Sequence, residues 1–250
     1  MKILGVIPSR YASTRFPGKP LAVICGKSMI QRVYEQSASS SLLDKLVVAT
    51  DDKRIEQHVN SFGGNCMLTS QQHPNGTSRC LEVVKALEKH NEYFDVVVNI
   101  QGDEPFIQPA QIEQLIALFS DENTEISSLI NLLTDPEDLW SPHVVKVVRD
   151  LNGLALYFSR QPIPYLRDVP KEDWLNKSSF FKHLGLYAYR TDILEQIVKL
   201  EPSPLEQFEK LEQLRWLENG FKIRLNLTDY KGVGVDTPDD LAKLINNPCE

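Results

Sequence analysis

The sequence predicts an α/β domain: a mostly parallel sheet flanked by helices, with a subdomain inserted in its second half. Two observations carry this. Between residues 3 and 100, short runs of consecutive apolar residues alternate with stretches of helical periodicity. That alternation forces right-handed crossovers between parallel strands. After about Gln108 the rhythm changes to a series of strand patterns, broken by a polar, proline-rich loop from Gln161 to Ser179.

The elements follow in order. Ile3 to Ile7 is a short apolar run ended by Pro8, the pattern of a buried strand. Ser28 to Ser39 reads as a helix with Met29, Ile30, Val33 and Tyr34 on one face. Leu46 to Thr50 is a second buried strand. Asp51 and Asp52 then cap a helix carrying Ile55, His58 and Val59, which Gly63-Gly64 stops. Leu81 to Leu87 is helical, with Thr77 or Ser78 as its N-cap. Val96 to Ile100 is the third strong strand. Beyond it, Glu125–Leu133, Val144–Val148, Leu154–Phe158, Leu184–Tyr189 and Lys222–Leu227 read as strands. Helices start at Asp192 and Leu205, and a last helix closes the sequence. Leu205, Phe208, Leu211, Leu214 and Leu217 form an apolar stripe, which leaves Glu209 and Gln213 opposite it and Glu212 on the flank of a solvated face. Nothing resembling a Gly/Ser linker, a charge block or an internal repeat divides the chain. Residues 1–250 therefore read as one domain, in parts of about 1–108, 109–230 and 231–250.

Composition excludes several classes. Of 250 residues, 42% are hydrophobic and 24% charged, close to soluble globular proteins and unlike a disordered chain or a fibre. The net charge of −7 argues against nucleic-acid binding through overall charge. No apolar run reaches membrane-spanning length, and the apolar start is too short for a signal peptide. A cytoplasmic location without membrane contact is the expectation. Cys25, Cys66, Cys80 and Cys249 are scattered without a C-x-x-C pair, so zinc and a disulfide framework are not expected. Each reads as a small buried hydrophobe or an incidental thiol.

Three segments carry chemistry. Pro8 to Pro20 follows the first strand directly and holds Arg10, Arg15 and Lys19 with Ser13. It matches neither a Walker A loop nor G-x-G-x-x-G. Because ligands of parallel sheets bind at the carboxyl ends of strands, this loop suits a polyphosphate better than its composition alone indicates. In Asn99-Ile100-Gln101-Gly102-Asp103-Glu104-Pro105, Gly102 permits close backbone approach. Asp103 stands at a strand end, where a carboxylate suits Mg²⁺; an ordinary turn explains it equally well. In Gly234 to Asp240, helix capping accounts for Thr237, Pro238, Asp239 and Asp240 and leaves Asp236 as a second metal carboxylate. Less specific are Thr77 and Arg79 at a helix start, Arg160 just past an apolar strand, where it could take a carboxylate bidentately, and His183, a lone histidine of the kind that is more often structural.

Taken together, these segments resemble the CMP-Kdo synthetase family, the 3-deoxy-manno-octulosonate cytidylyltransferases. The resemblance rests on collinear motifs spanning nearly the whole chain: Pro8 to Leu21, Val48 to Asp51, Asn99 to Pro105, Ala155 to Arg160, Lys182 to Tyr187, Leu211 to Arg215 and Gly234 to Pro238. It implies a Rossmann-like mixed α/β sheet with an inserted dimerisation and sugar-binding region, and a homodimer. It implies transfer of CMP from CTP to the anomeric hydroxyl of Kdo, with pyrophosphate leaving, for lipopolysaccharide biosynthesis. By matching position, Arg10, Ser13 and Lys19 hold the triphosphate and Arg79 lies near the cytosine. Asp103 and Asp236 hold Mg²⁺. Arg160, His183, Tyr187, Glu212 and Gln213 line the sugar-acid pocket, with Gln101 beside them. Two alternatives stay open: a cytidylyltransferase for another sugar acid, such as 8-amino-Kdo or a sialic acid, and a non-catalytic nucleotide-binding regulator.

Overall fold

The first strand, β1 (Ile3–Ser9), is buried along nearly its whole length, because it lies at the centre of a sheet covered on both faces. In a computed structural model, which describes residues 1–12, 16–230, 232, 234, 235 and 237–246, the elements follow in this order. After β1 come the small hairpin β2 (Val23–Ile24) and β3 (Lys27–Ser28), α1 (Met29–Ala38), β4 (Lys45–Thr50), α2 (Lys53–Ser61), β5 (Cys66–Leu68), α3 (Gly76–Glu88), β6 (Val96–Asn99) and α4 (Pro109–Ala117). The second half holds β7 (Ile126–Leu132), α5 (Pro136–Trp140), β8 (Lys146–Arg149), β9 (Ala155–Ser159), α6 (Trp174–Lys177), β10 (Phe181–Arg190), α7 (Thr191–Ile197), α8 (Pro204–Glu209), α9 (Glu212–Glu218), β11 (Ile223–Leu227) and α10 (Pro238–Asn246).

The main sheet runs β11-β7-β10-β6-β1-β4-β5, and β8 and β9 extend it from one end of β10. β6, β1, β4 and β5 are parallel neighbours. β10 enters antiparallel between β6 and β7, and β11 is parallel to β7. The sheet is thus mixed and mostly parallel, as expected. Alternate residues of each strand feed two cores. Leu4, Val6, Val47, Ala49 and Val97 pack on the face covered by α3, α7 and α9. Ile3, Ile7, Leu46, Val48, Val96 and Val98 pack on the face covered by α1, α2 and α4. A third, small core of Leu133, Leu139, Trp174 and Phe180 sits beneath the proline-rich loop.

Several expectations need correction. β5 and α4 carried too little pattern to be expected. The N-cap of α3 is Asn75, whose side chain accepts from Ser78 N at 2.9 Å, so the helix starts a turn earlier than Leu81. The stripe from Leu205 to Leu217 is not one helix. Lys210 adopts a left-handed conformation (φ 55°), which ends α8 and restarts the chain as α9 in a new phase. Phe208 is consequently 81% exposed, while Gln213 is buried. Cys25 is disulfide-bonded, whereas Cys66 and Cys80 are free thiols.

Lys146 has no exposed surface. Its ammonium donates to the carbonyls of Ser141 (2.8 Å), Val144 (2.6 Å) and Arg160, which uses all three protons. Burial lowers its pKa, and these bonds pin the segment 141–145 to β8. Lys146→Met preserves the stem and strands those carbonyls. It is expected to cost about 2 kcal/mol, a drop in Tm of roughly 4–8 °C for a chain of this size. Calorimetry showing an unchanged Tm would mean that the ammonium is not what holds this segment.

Candidate active site

The parallel strands β1, β4 and β6 bring their carboxyl ends to one edge, and the residues that follow them meet there. Arg10 follows β1, Asp51 follows β4, and Gln101 to Glu104 follow β6. Gly102 is required at this point: a Cβ on it would lie 2.8 Å from the Pro8 carbonyl oxygen. Arg10 donates to the carbonyl of His73. Arg79, with no exposed surface, donates to Asp51 Oδ2 at 3.1 Å and to Thr69 Oγ1. Burial and the neighbouring Arg79 lower the pKa of Arg10, and Asp51 only partly opposes them. Two guanidiniums around one carboxylate leave an excess of positive charge, the setting a polyphosphate requires. Arg79, which the resemblance sets near the cytosine, bonds protein groups here. Its guanidinium is committed to bracing the ends of β4 and β5.

Lys19 reaches the same edge through a closed loop. Gly18 adopts φ +74°, and its N–H donates to Tyr11 O at 2.9 Å. The Lys19 ammonium donates to Asp103 Oδ2 at 2.7 Å and to Val235 O at 2.9 Å. Val235 N–H in turn donates to Asp103 O at 3.0 Å. The cationic loop, the turn after β6 and the chain just before Asp236 therefore converge on Asp103. Ser13, Arg15 and Asp236 lie outside the described residues.

A cavity of about 470 Å³ opens beside this junction, and its lining includes Thr77, Gln101, His183, Tyr187, Glu212 and Gln213, all expected from sequence. Asn99, Glu104, His143 and Lys182, which sequence reasoning did not single out, also line it. Lys182 stood in the motif that carried His183, and strand alternation alone could not tell which of the two faced a ligand. The solvated face expected for Glu212 and Gln213 is overturned, because the break at Lys210 turns both inward. Glu212 accepts from Asn75 Nδ2 at 2.8 Å and from Thr77 Oγ1 at 3.1 Å. Burial pushes its carboxyl up to about 7 against the effect of the Thr77 bond. Burial, aided by Asp103, does the same for Glu104, also to about 7. The Tyr187 hydroxyl is buried without a partner among the described residues, and burial drives its pKa well above the usual phenol value. It stays protonated and able to donate to a ligand in the cavity. Gln101 Nε2 donates to Gly185 O at 2.6 Å, at a bulge in β10 between Leu184 and Tyr187.

Arg160 is not in this lining. Its guanidinium donates to the carbonyls of Glu209 (2.7 Å) and Pro142 (2.9 Å), and its backbone N–H donates to Glu209 Oε2 at 2.9 Å. The reason is local. α8 ends at Glu209 with unsatisfied carbonyls, which a neighbouring cation can cap. In this way Arg160 braces the end of α8.

A mixed α/β sheet with a polyphosphate-type cation cluster at its parallel strand ends, next to a polar cavity, defines a nucleotidyltransferase. The sequence model of the family "Cytidylyltransferase" matches residues 4–223. The 3-deoxy-manno-octulosonate cytidylyltransferase of Bacteroides thetaiotaomicron is 54% identical over 244 residues, covering 96% of each chain. That of Parabacteroides distasonis is 51% identical over 249 residues, covering 98% of this chain and 97% of its own. A solved CMP:2-keto-3-deoxy-manno-octonic acid synthetase, complexed with CTP, superposes with a TM-score of 0.90 at 41% identity over 98% of both chains. The chain belongs to the 3-deoxy-manno-octulosonate cytidylyltransferase family.

Because the Glu212 carboxyl titrates near 7 in the folded chain against an ordinary 4.5, the unfolded chain loses its proton first as pH rises. Stability is therefore lost between about pH 4.5 and 7, in total on the order of 3 kcal/mol from this group. Glu212→Gln is expected to lessen the dependence of Tm on pH across that window, leaving the share of Glu104. Superimposable wild-type and variant profiles would show that Glu212 does not titrate there.

Proposed function

We propose that this chain transfers the CMP group of CTP to the anomeric hydroxyl of 3-deoxy-D-manno-octulosonate (Kdo), giving CMP-Kdo and pyrophosphate for lipopolysaccharide synthesis. The observation that carries this is the junction at Asp103. There the cationic loop that suits a triphosphate is bonded to the turn whose Gln101 and Glu104 line a cavity walled by Glu212, Gln213, His183 and Tyr187, which suits a polyhydroxylated sugar. The sugar hydroxyl oxygen forms a bond to the α-phosphorus and gives up its proton. The bond between the α-phosphorus and the α–β bridging oxygen breaks, and pyrophosphate leaves with that electron pair. Such a transfer needs positioning and charge stabilisation and no covalent nucleophile. Arg10 and Lys19 hold the phosphates, joined by Ser13 through the resemblance and by Arg15 through its place in the cationic loop. Gln101, His183, Tyr187, Glu212 and Gln213 hold the sugar acid.

The donors at Asp103 fit Mg²⁺. They are hard carboxylate oxygens, and this carboxylate already accepts a positive charge, the Lys19 ammonium at 2.7 Å. Asp103 holds the ion in this reading, with Asp236 as the partner carboxylate implied by the resemblance. A bound Mg²⁺ supplies neutralisation of the charge that develops on the phosphates. The remaining proposals concern the setting. No helix among the described residues is long and apolar enough to cross a membrane, and a cytoplasmic location is the reading retained. Trp140 and Tyr165 pack on Trp174 and stay 39% and 75% exposed, which supports a homodimer.

Pyrophosphate release on mixing the chain with CTP, Kdo and Mg²⁺ tests the function, and absence of release with Kdo would overturn it. Asp103→Asn is expected to lower turnover on the order of 10²-fold with the fold intact by circular dichroism. Near-normal turnover at limiting Mg²⁺ would remove Asp103 from the metal site. Lys19→Ala is expected to weaken CTP binding more than CMP binding, since CMP lacks the outer phosphates. Equal losses in calorimetric titrations would place Lys19 elsewhere.

A further inference from the structure

Ser128, on β7, has no exposed surface and faces the bulge of β10. Its hydroxyl oxygen lies 2.9 Å from the Leu186 carbonyl oxygen, 3.1 Å from that of Leu184 and 3.0 Å from His183 Nε2. A hydroxyl has one proton, and a carbonyl oxygen can only accept. If that proton pointed at His183, two carbonyl lone pairs would face those of the hydroxyl at close range, with no water to intervene. The proton therefore lies on the carbonyl side, and the hydroxyl oxygen accepts from Nε2. Phe158 and Tyr187 hold the imidazole ring at 5.0 and 5.2 Å between centroids. Burial pushes its pKa down to about 3, so the ring is neutral and carries a single proton. With that proton on Nε2, Nδ1 keeps a bare lone pair. Nδ1 makes no hydrogen bond among the described residues, and His183 lines the cavity.

We propose that Ser128 is a positioning residue that fixes His183 as the Nε2–H tautomer, so that Nδ1 accepts a hydrogen bond from a sugar hydroxyl. This rests on the sugar-acid reading of the cavity and adds an orientation to it. A carboxylate set against that lone pair is repelled, whereas a hydroxyl is drawn to it. His183 thus selects which edge of the sugar acid faces β10, and the acid group must find its cation elsewhere in the site. The same hydroxyl gives the carbonyls of the bulge a donor, so the bend in β10 and the state of the ring are set by one atom.

Long-range proton–nitrogen spectra of the chain labelled with ¹⁵N-histidine test this without any substrate. The His183 signals are assigned by their loss in His183→Gln. The wild type is expected to show Nε2 protonated and Nδ1 unprotonated at neutral pH, and the reverse pattern would overturn the proposal. Ser128→Ala is expected to shift His183 toward the other tautomer. It should also raise the KM for Kdo about fivefold, the loss of one neutral hydrogen bond, while the KM for CTP stays within about twofold. Ser128→Thr, which keeps the hydroxyl, is expected to restore both. Wild-type signals in Ser128→Ala, or an altered tautomer with an unchanged KM for Kdo, would overturn the positioning role. If Kdo is not the acceptor, pyrophosphate release reports that failure separately, since the spectra decide the tautomer on their own.

Discussion

The antiparallel insertion of β10 between β6 and β7 is the constraint on which the rest of the structure depends. Without it the parallel strands of the first half and the β7–β11 pair would be two sheets with four open edges. β10 joins them by pairing with both neighbours, and its first residues also pair with β8. A strand that must satisfy two partners with different registers accommodates the mismatch by bulging. The bulge falls at Gly185 and Leu186, where Gln101 and Ser128 donate to the turned carbonyls. The irregularity that lets the two halves share one sheet also lines the cavity. Fold and site are in this respect one solution to one packing problem.

Charge is distributed in keeping with this arrangement. Among the described residues on the side of the parallel strands, the cations Arg10, Arg79 and Lys19 outnumber the carboxylates they meet, Asp51 and Asp103. In the cavity, burial pushes the carboxyls of Glu104 and Glu212 up to about 7. A highly charged nucleotide meets cations, and a hydroxyl-rich sugar acid meets groups that donate and accept, beside the cation Lys182. The substrate groups that must approach one another are thereby brought to the boundary between the two environments, at Asp103.

Much of this was legible in the sequence. The buried strands at residues 3–7, 46–50 and 96–100 are continuous apolar runs, a signal that survives without any tertiary information. Gly102 was legible because close approach to a backbone leaves few alternatives to glycine. The resemblance supplied residues whose spacing said nothing, such as Glu212 and Gln213. Periodicity put both on a solvated face, and only the left-handed turn at Lys210, a conformation an ordinary lysine does not announce, reverses them. Arg160 shows the opposite difficulty. A guanidinium after a strand is equally suited to a ligand carboxylate and to the open carbonyls of a helix end, and the second was in reach through a residue 49 positions away. Ser128 was invisible, since a serine in an apolar strand carries no pattern of its own.

The contacts of Val235 tie together parts of the chain that lie far apart in sequence. Most of the apolar interior is contributed by residues before 226, so the two main cores do not depend on Val235. The site does. Asp103 and Lys19 both bond the backbone of Val235, whose side chain packs with Ile24 and Met29 near the start of the chain. Val235 is thus a clasp that ties the cationic loop and the turn after β6 to the hairpin near the start of the chain.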